Sequence, residues 1–406
     1  MTIAIISRQI SHYHMARFRA SALALSDLVV VATANEGAFS ELLAKDSGAF
    51  PTKRLFANQQ EYERAIANGR IIDAVQGALS EIDARTVVIA GWAAAESFAA
   101  IRWARSRAVP IVVMSDSQAF DAPRSRLREM LKARFVSMCD AAFVAGPTHR
   151  DYIVKLGMPL ERVRLGYDVV DNAYFASEAD LARSEEKKIR SECGLPARYV
   201  LASARFVRKK NIVGLIEAYN IASSREEQRP PDLVILGGGE QVDLIRDKIL
   251  QLRLDHRIHL FGYREYRDLP KFYGLADAFV HVPFVEQWGL VVNEAMASGI
   301  PSIVSCSSGA GLALIEHGKN GFLASPHDKQ NIAEMLSRTF ALSPAERIAI
   351  GASARSTIAR WGPDRFAEGL KSSVAAANAA PRKGRLHFWD RILLEKMARK
   401  VINTVA

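Results

Sequence analysis

Two carboxylates, Glu286 and Glu294, stand with seven residues between them in the stretch 278–305, AFVHVPFVEQWGLVVNEAMASGIPSIVS. In one continuous helix, eight steps would set their Cα atoms roughly 12 Å apart and about 80° round the axis, too far to share a small ligand. A loop that carries Glu286 and folds back over a helix start removes that objection. Gly289 then lets the backbone approach a ligand closely, and the N–H groups near Leu290 at the helix start offer an anion site. A second group of charges, Arg205 and Lys210 in SARFVRKKN, is cationic and five positions apart, in a turn expected after a strand. Cations held rigidly at such a place neutralise a bound polyanion or a leaving group that gains charge. Taken singly, these features also fit a βαβ unit with a capping carboxylate and a basic surface turn.

The elements that must position these residues follow from the pattern. Residues 278–282 form an apolar, β-branched run, a helical pattern follows from Leu290, Gly299 stops it, and Pro301 opens a strand over 302–304. Residues 199–202 predict the strand before Arg205, and 233–236 another, followed by Gly237, Gly238 and Gly239, which permit tight backbone. A dinucleotide fingerprint needs a further glycine where Val242 stands, so that reading fails on spacing. In the first half, short apolar runs at 2–6, 28–33, 86–90, 110–114 and 141–145 alternate with helical patterns such as 66–82 and 96–107. Alternation of this kind predicts parallel sheets with right-handed crossovers, and ligands gather beyond the carboxyl ends of such strands. There the first half offers His14 and Arg17 after the first strand, Trp92 and Glu96 after the third, and Asp116 and Asp121 after the fourth. Ser115-Asp116-Ser117 is equally a helix-capping sequence, and His14 and Arg17 equally suit a solvated helix start.

The pattern Glu286-x7-Glu294 with Trp288-Gly289 inside it and EAMASGIP behind it resembles the signature of retaining glycosyltransferases of the GT-B fold, family 4. The resemblance covers the second half strongly and the first half weakly. It implies an α/β chain of two Rossmann-like domains facing across a cleft, and transfer of a sugar from a nucleotide-sugar without an obligatory metal or cofactor. By the same resemblance Glu294 holds the donor ribose, Glu286 contacts the sugar, and the backbone at Gly289 and Leu290 meets the diphosphate. Arg205 and Lys210 would stabilise the leaving nucleotide. Trp288, Gly238, Tyr263 and Arg264 are further donor-side candidates, the last two through backbone contact with the base. Asp116 would lie near the transferred sugar, and His14 and Arg17 on the acceptor side, although the glycine-rich loop common at that place is absent. GYDVVDNAYF resembles the family's interdomain boundary, which gives an N-terminal domain 1–176, a charged linker 177–196, a donor domain 197–365 and closing helices 366–406 that cross back. A non-catalytic nucleotide-sugar-binding protein and a GT-B-like sugar-nucleotide epimerase are the alternatives.

Composition bounds the partners. The chain has 406 residues, 49% hydrophobic and 24% charged, which predicts a globular chain of two or three domains with ample core. Three scattered cysteines fit neither a disulfide frame nor a zinc site and suit a reducing cytoplasm, each as a small buried hydrophobe. MTIAIIS passes straight into a strand without a cationic leader, and no apolar run reaches about 18 residues, so neither secretion nor a membrane span is expected. A net charge of +10 points to an anionic partner. Nucleic acid is disfavoured because no recognised module appears and aromatics are not interleaved with the basic runs. The tail 381–406 carries seven basic side chains, Lys400 among them, against two acidic ones, a net +5. Leu386, Trp389, Leu393, Met397 and Val401 recur there at helical spacing, and helix 124–138 repeats the pattern. This amphipathic basic pattern suits a peripheral protein at an anionic membrane surface, serving a sugar or lipid-linked acceptor in surface polysaccharide assembly. Alternatively the stripe packs on the N-terminal domain and the cations face water.

Overall fold

In this computed structural model, residues 1–34, 48–225 and 230–399 are described, and Lys400 and Val401 of the basic tail lie outside them. The chain divides into two compact units. The first comprises Met1–Ala119, Pro123–Val169 and Pro363–Ala406, the second Phe120–Ala122 and Val170–Gly362.

The first unit is built on seven parallel strands, β1 (Ile3–Ser7), β2 (Leu28–Ala34), β3 (Thr52–Phe56), β4 (Thr86–Ala90), β5 (Ile111–Ser115), β6 (Ala141–Val144) and β7 (Val163–Leu165), in the order β3-β2-β1-β4-β5-β6-β7. The inner strands β1, β5 and β6 are buried along their length, which is why they read as unbroken apolar runs rather than alternating ones. The expected helix 66–82 is instead two, Gln59–Ala67 and Arg70–Glu81, because Gly69 between them takes φ +79°. The helix Pro363–Ala379 belongs to this unit, where Phe366 packs edge-on against Phe18 and Phe143.

The second unit holds six parallel strands, β8 (Tyr199–Ser203), β9 (Asp232–Leu236), β10 (Ile258–Gly262), β11 (Ala278–His281), β12 (Ser302–Ser305) and β13 (Phe322–Ala324), in the order β10-β9-β8-β11-β12-β13. Each sheet thus reverses its winding once, at β1/β4 and at β8/β11, where the loops leaving the carboxyl ends diverge and such sheets take their ligands. The charged stretch 177–196 runs through the helices Asn172–Ser184 and Glu186–Cys193 of this unit. Two parallel-sheet α/β domains are what the strand and helix pattern predicted. The cysteines correct a detail: Cys139 is buried, with its thiol pushed up to about 12 by burial, whereas Cys193 is half-buried and Cys306 exposed. Among the described residues no helix is long and apolar enough to cross a membrane.

Candidate active site

The winding reversal of the second sheet brings together the loop after β8, which carries Arg205 to Lys210, and the loop after β11, which carries Glu286. The loops are sewn together by their backbones, with Phe284 N–H donating to Lys209 O at 2.9 Å. Asn211 locks the first loop. Its φ is +57°, and its Nδ2 donates to Val282 O and Pro326 O, each at 3.0 Å. An asparagine tolerates this left-handed backbone better than most residues.

At the junction the Lys210 ammonium pairs with Glu286 Oε2, and His281 Nε2 lies 3.1 Å from the same oxygen. The side chains of all three are largely enclosed, Lys210 at 12% exposure, Glu286 at 14% and His281 at 3%. Burial alone would raise the Glu286 pKa, but the His281 hydrogen bond and the Lys210 charge outweigh it and hold the carboxyl at about 2. Burial lowers the His281 pKa against the pull of Glu286, so the imidazole is neutral at pH 7 and its Nε2–H donates to the carboxylate. Lys209 is held below the ordinary lysine range by burial, then by the neighbouring Lys210 and Arg205. Arg205 is exposed at the mouth of the same loop. The cluster can therefore present a fixed carboxylate and several positive charges to an anionic ligand.

Glu286 sits outside the helix, as the loop reading required. Its backbone bridges to Ser308, and the helix Leu290–Ala297 starts only at Gly289, which takes φ +101° and caps it without a side chain. A Cβ at Gly289 would stand 3.2 Å from Glu286 Cγ and 3.3 Å from Ser308 Oγ, so the uncapped helix start lies beside the ion pair. An uncapped first turn with a positive dipole end is an anion site. Leu290 is half-buried there. Glu294, one turn on, has no exposure and accepts from Tyr273 Oη at 2.7 Å, so a ligand hydroxyl reaches it only after the side chains over it move.

Other expected residues are placed differently. Trp288 is 2% exposed, donates Nε1–H to Asn293 Oδ1 at 2.9 Å and stacks on Trp361 at 5.5 Å, so its indole braces the loop instead of meeting a ligand. Gly238 has open space where a Cβ would be. The tight approach belongs to Gly237, where a Cβ would fall 1.9 Å from Ala204 O. Beyond β10, Tyr263 is exposed, while Arg264 lies over the faces of Phe261 and Phe272 with its Nε unpartnered among the described residues.

In the first unit, Arg17 is 3% exposed and committed to Asp168 Oδ1 at 3.2 Å and to Val169 O at 3.0 Å, so it ties chain segments together and is not an open acceptor contact. His14 Nδ1 lies 2.8 Å from Ser11 Oγ and accepts from Ser11 N–H. Burial, then the Arg17 charge, lowers its pKa to about 3, which leaves a neutral helix-start residue. Asp116 is half-buried at the end of β5, near Tyr167, whose phenol is raised by burial and by carboxylates that include Asp116. Glu96 is buried and accepts from Tyr62 Oη at 2.6 Å.

Sequence reasoning missed His281, Asn211 and Ser308. A histidine ending an apolar strand is the one signal that could have found His281, since it must either be paired or be neutral there. Ser308 caps the helix Gly309–Leu314 and also donates to Trp288 O at 2.6 Å, which holds the Glu286 loop in place.

Residues 184–356, most of the second unit, match the family model described as glycosyl transferases group 1. Mannosylfructose-phosphate synthase of Agrobacterium fabrum is 28% identical over 214 residues, 50% of this chain and 45% of that protein. O-antigen chain mannosyltransferase B of Escherichia coli is 33% identical over 137 residues, 33% of this chain and 35% of that protein. The chain thus spans less than half the length of these relatives. Among solved structures, Anabaena Alr3699/HepE in complex with UDP aligns at a TM-score of 0.73 and 17% identity, over 93% of this chain and 100% of that one. At that identity the likeness establishes the fold, which is that of the GT-B glycosyltransferases.

Proposed function

We propose that this chain is a glycosyltransferase of family 4 type that moves a sugar from a nucleotide-sugar to a sugar or lipid-linked acceptor, with retention of anomeric configuration. The observation that carries the reading is the meeting of Lys210, Glu286 and the uncapped start at Gly289 where the second sheet reverses its winding. In this reading the first-turn N–H groups at Leu290 and the cations Arg205 and Lys210 receive the diphosphate and stabilise the charge that develops on the leaving nucleotide. Such donors act most strongly when preorganised in a site of low dielectric. Glu286, ionised and oriented by His281, accepts hydrogen bonds from the transferred sugar, and Glu294 from the donor ribose once its cover has opened. Tyr263 and Arg264 border the base, and Asp116 is assigned to the transferred sugar by the family resemblance alone.

The cations supply the positive charge that the leaving group needs, so the reading includes no obligatory metal. Retention then follows a front-side route, in which the leaving phosphate oxygen takes the acceptor proton as the new glycosidic bond forms, and no protein base is required. The name of one relative, O-antigen chain mannosyltransferase B, favours a role in polysaccharide assembly.

A thermal-shift series across nucleotide-sugars tests donor binding first, because a ligand that binds only the folded chain raises its midpoint by mass action. UDP-glucose leads the series, since HepE has also been solved with it, at a TM-score of 0.72 and 18% identity over 93% of this chain and 100% of that one. A selective shift, followed by release of nucleoside diphosphate that depends on acceptor, supports the reading. A shift without turnover under any acceptor would make the chain a nucleotide-sugar-binding protein. Interconversion of the donor sugar alone would make it an epimerase.

A further inference from the structure

The helix Phe388–Ala398 is held to the first unit by two ion pairs, Arg134 to Asp390 and Arg102 to Glu395 at 3.0 Å. Leu394 and Ala398 are buried in the unit's core, and Leu386, Leu393 and Met397 are half-buried. The apolar stripe of the tail therefore packs, but it packs incompletely. Between this helix and the helix Arg126–Ser137 lies an apolar pocket of about 310 Å³, with Phe98, Phe135 and Leu394 among its floor and Leu131, Leu393 and Met397 at its rim. That volume falls at the small end of the roughly 300–1,000 Å³ usual for ligand pockets.

The rows that line the pocket continue outward. Leu127 lies one turn before Leu131, and Trp389 one turn before Leu393, so each shares its neighbour's helix face. On those rows Leu127 is 60% exposed and Trp389 75%, while Met130 at 61% and Phe388 at 67% are exposed elsewhere on the same two helices. Large apolar side chains grouped at a pocket mouth mark an interaction site more than scattered ones do.

The charge on these two helices selects the partner, with Arg128 itself lining the pocket. Arg126, Arg128, Arg391 and Lys396 are exposed and have no ion pair among the described residues. Every carboxylate on the two helices is already compensated, Glu129 by Arg124 and Lys132, Asp390 by Arg134, and Glu395 by Arg102 and Arg399. We propose that this face docks on an anionic phospholipid bilayer, with one acyl chain entering the pocket between the two helices. Phe388 and Trp389 suit the headgroup boundary, and the unpaired cations suit lipid phosphates.

The test uses the full chain without donor or acceptor, so its failure leaves glycosyl transfer untouched. Co-sedimentation is measured with phosphatidylcholine vesicles, with and without phosphatidylglycerol, at low and high salt. The chain should follow the anionic vesicles at low salt and be released by high salt. Arg128→Glu with Arg391→Glu should lower that partition about tenfold or more, at up to about 1 kcal/mol per cation removed. Leu127→Ser with Trp389→Ser should lower it by about as much without moving the thermal midpoint, since both side chains are exposed. Lipids brominated on their acyl chains should quench tryptophan emission, and Trp92→Phe at the pocket wall should remove part of that quenching. Equal sedimentation of wild type and both double variants would overturn the docking, as would a dimer in solution that the Leu127 and Trp389 substitutions break with no lipid bound. Quenching unchanged by Trp92→Phe would overturn the entry of a chain into the pocket.

Discussion

Lys210 and Glu286, 76 positions apart in sequence, meet as an ion pair whose carboxylate oxygen also lies 3.1 Å from His281 Nε2. One oxygen thus answers to a lysine from the loop after β8 and to a histidine ending β11. Neither partner is redundant: the ammonium supplies charge, and the neutral imidazole supplies direction.

Replacing Lys210 with alanine should lower kcat about 10²-fold, the scale on which one charge-stabilising donor acts in a transition state. Arginine there should recover part of the loss, because it restores charge with a different, planar geometry. Steady-state kinetics with the donor found by thermal shift gives the answer, and unchanged kcat and kcat/KM in the alanine variant would remove Lys210 from the chemistry.

The ion pair also makes stability depend on acid. The folded carboxyl of Glu286 is depressed to about 2 from an ordinary 4.5, so its contribution is complete above pH 4.5 and is lost as pH falls through 2. A shift of that size corresponds to about 3 kcal/mol at about 1.4 kcal/mol per unit. His281 is likewise lowered, so it adds a second loss that begins as pH falls below 6.5. Thermal midpoints of wild type, Glu286→Gln and His281→Asn measured from pH 7.5 to 3 should converge as pH falls. Parallel curves would show that these groups are not linked to folding.

Gly289→Ala should be costly twice over. A side chain at φ +101° is strained, and its Cβ would press on Glu286 Cγ and Ser308 Oγ. A loss of more than about 1 kcal/mol in urea unfolding is expected, together with weaker donor binding because the helix start is pushed from its place. Donor affinity equal to wild type would mean that this helix start meets no diphosphate.

Much of this architecture was legible because parallel strands buried on both faces leave unbroken apolar runs, as at β4 and β11. The edge strand β3 escaped detection, since Thr52, Lys53 and Arg54 are partly open to solvent and carry no such run. Site residues divide in the same way. The loop position of Glu286 and the place of Gly289 at a helix start followed from local spacing. The fates of Arg17 and Trp288 did not, because Asp168 lies 151 positions away and Trp361 far downstream. A charged or aromatic side chain near a strand end looks the same in sequence whether a ligand or a distant segment takes it.

Asn211→Ala should destabilise the second unit by about 2 kcal/mol or more, since the carbonyls of Val282 and Pro326 both lose their donor and the left-handed backbone loses its most tolerant side chain. Asn211→Gly, which relieves the backbone but not the carbonyls, should fall between alanine and wild type. Urea unfolding followed by intrinsic fluorescence orders the three, and a glycine variant no better than alanine would assign the whole effect to the lost hydrogen bonds.

Glu294→Gln tests the most deeply enclosed of the assigned groups. The amide oxygen can still accept from Tyr273 Oη, so the fold should survive, with a thermal midpoint within a few degrees of wild type on the usual scale of about 1 kcal/mol. Donor binding should nevertheless weaken by about 10-fold to 100-fold, because a hydrogen bond to a charged acceptor is worth about 1.5–3 kcal/mol. Tyr273→Phe provides the contrast: it removes a partner of the carboxylate without removing its charge, and should leave donor affinity closer to wild type. Isothermal titration with the selected nucleotide-sugar measures both variants. Wild-type affinity in Glu294→Gln would show that this carboxylate serves the core and no ribose.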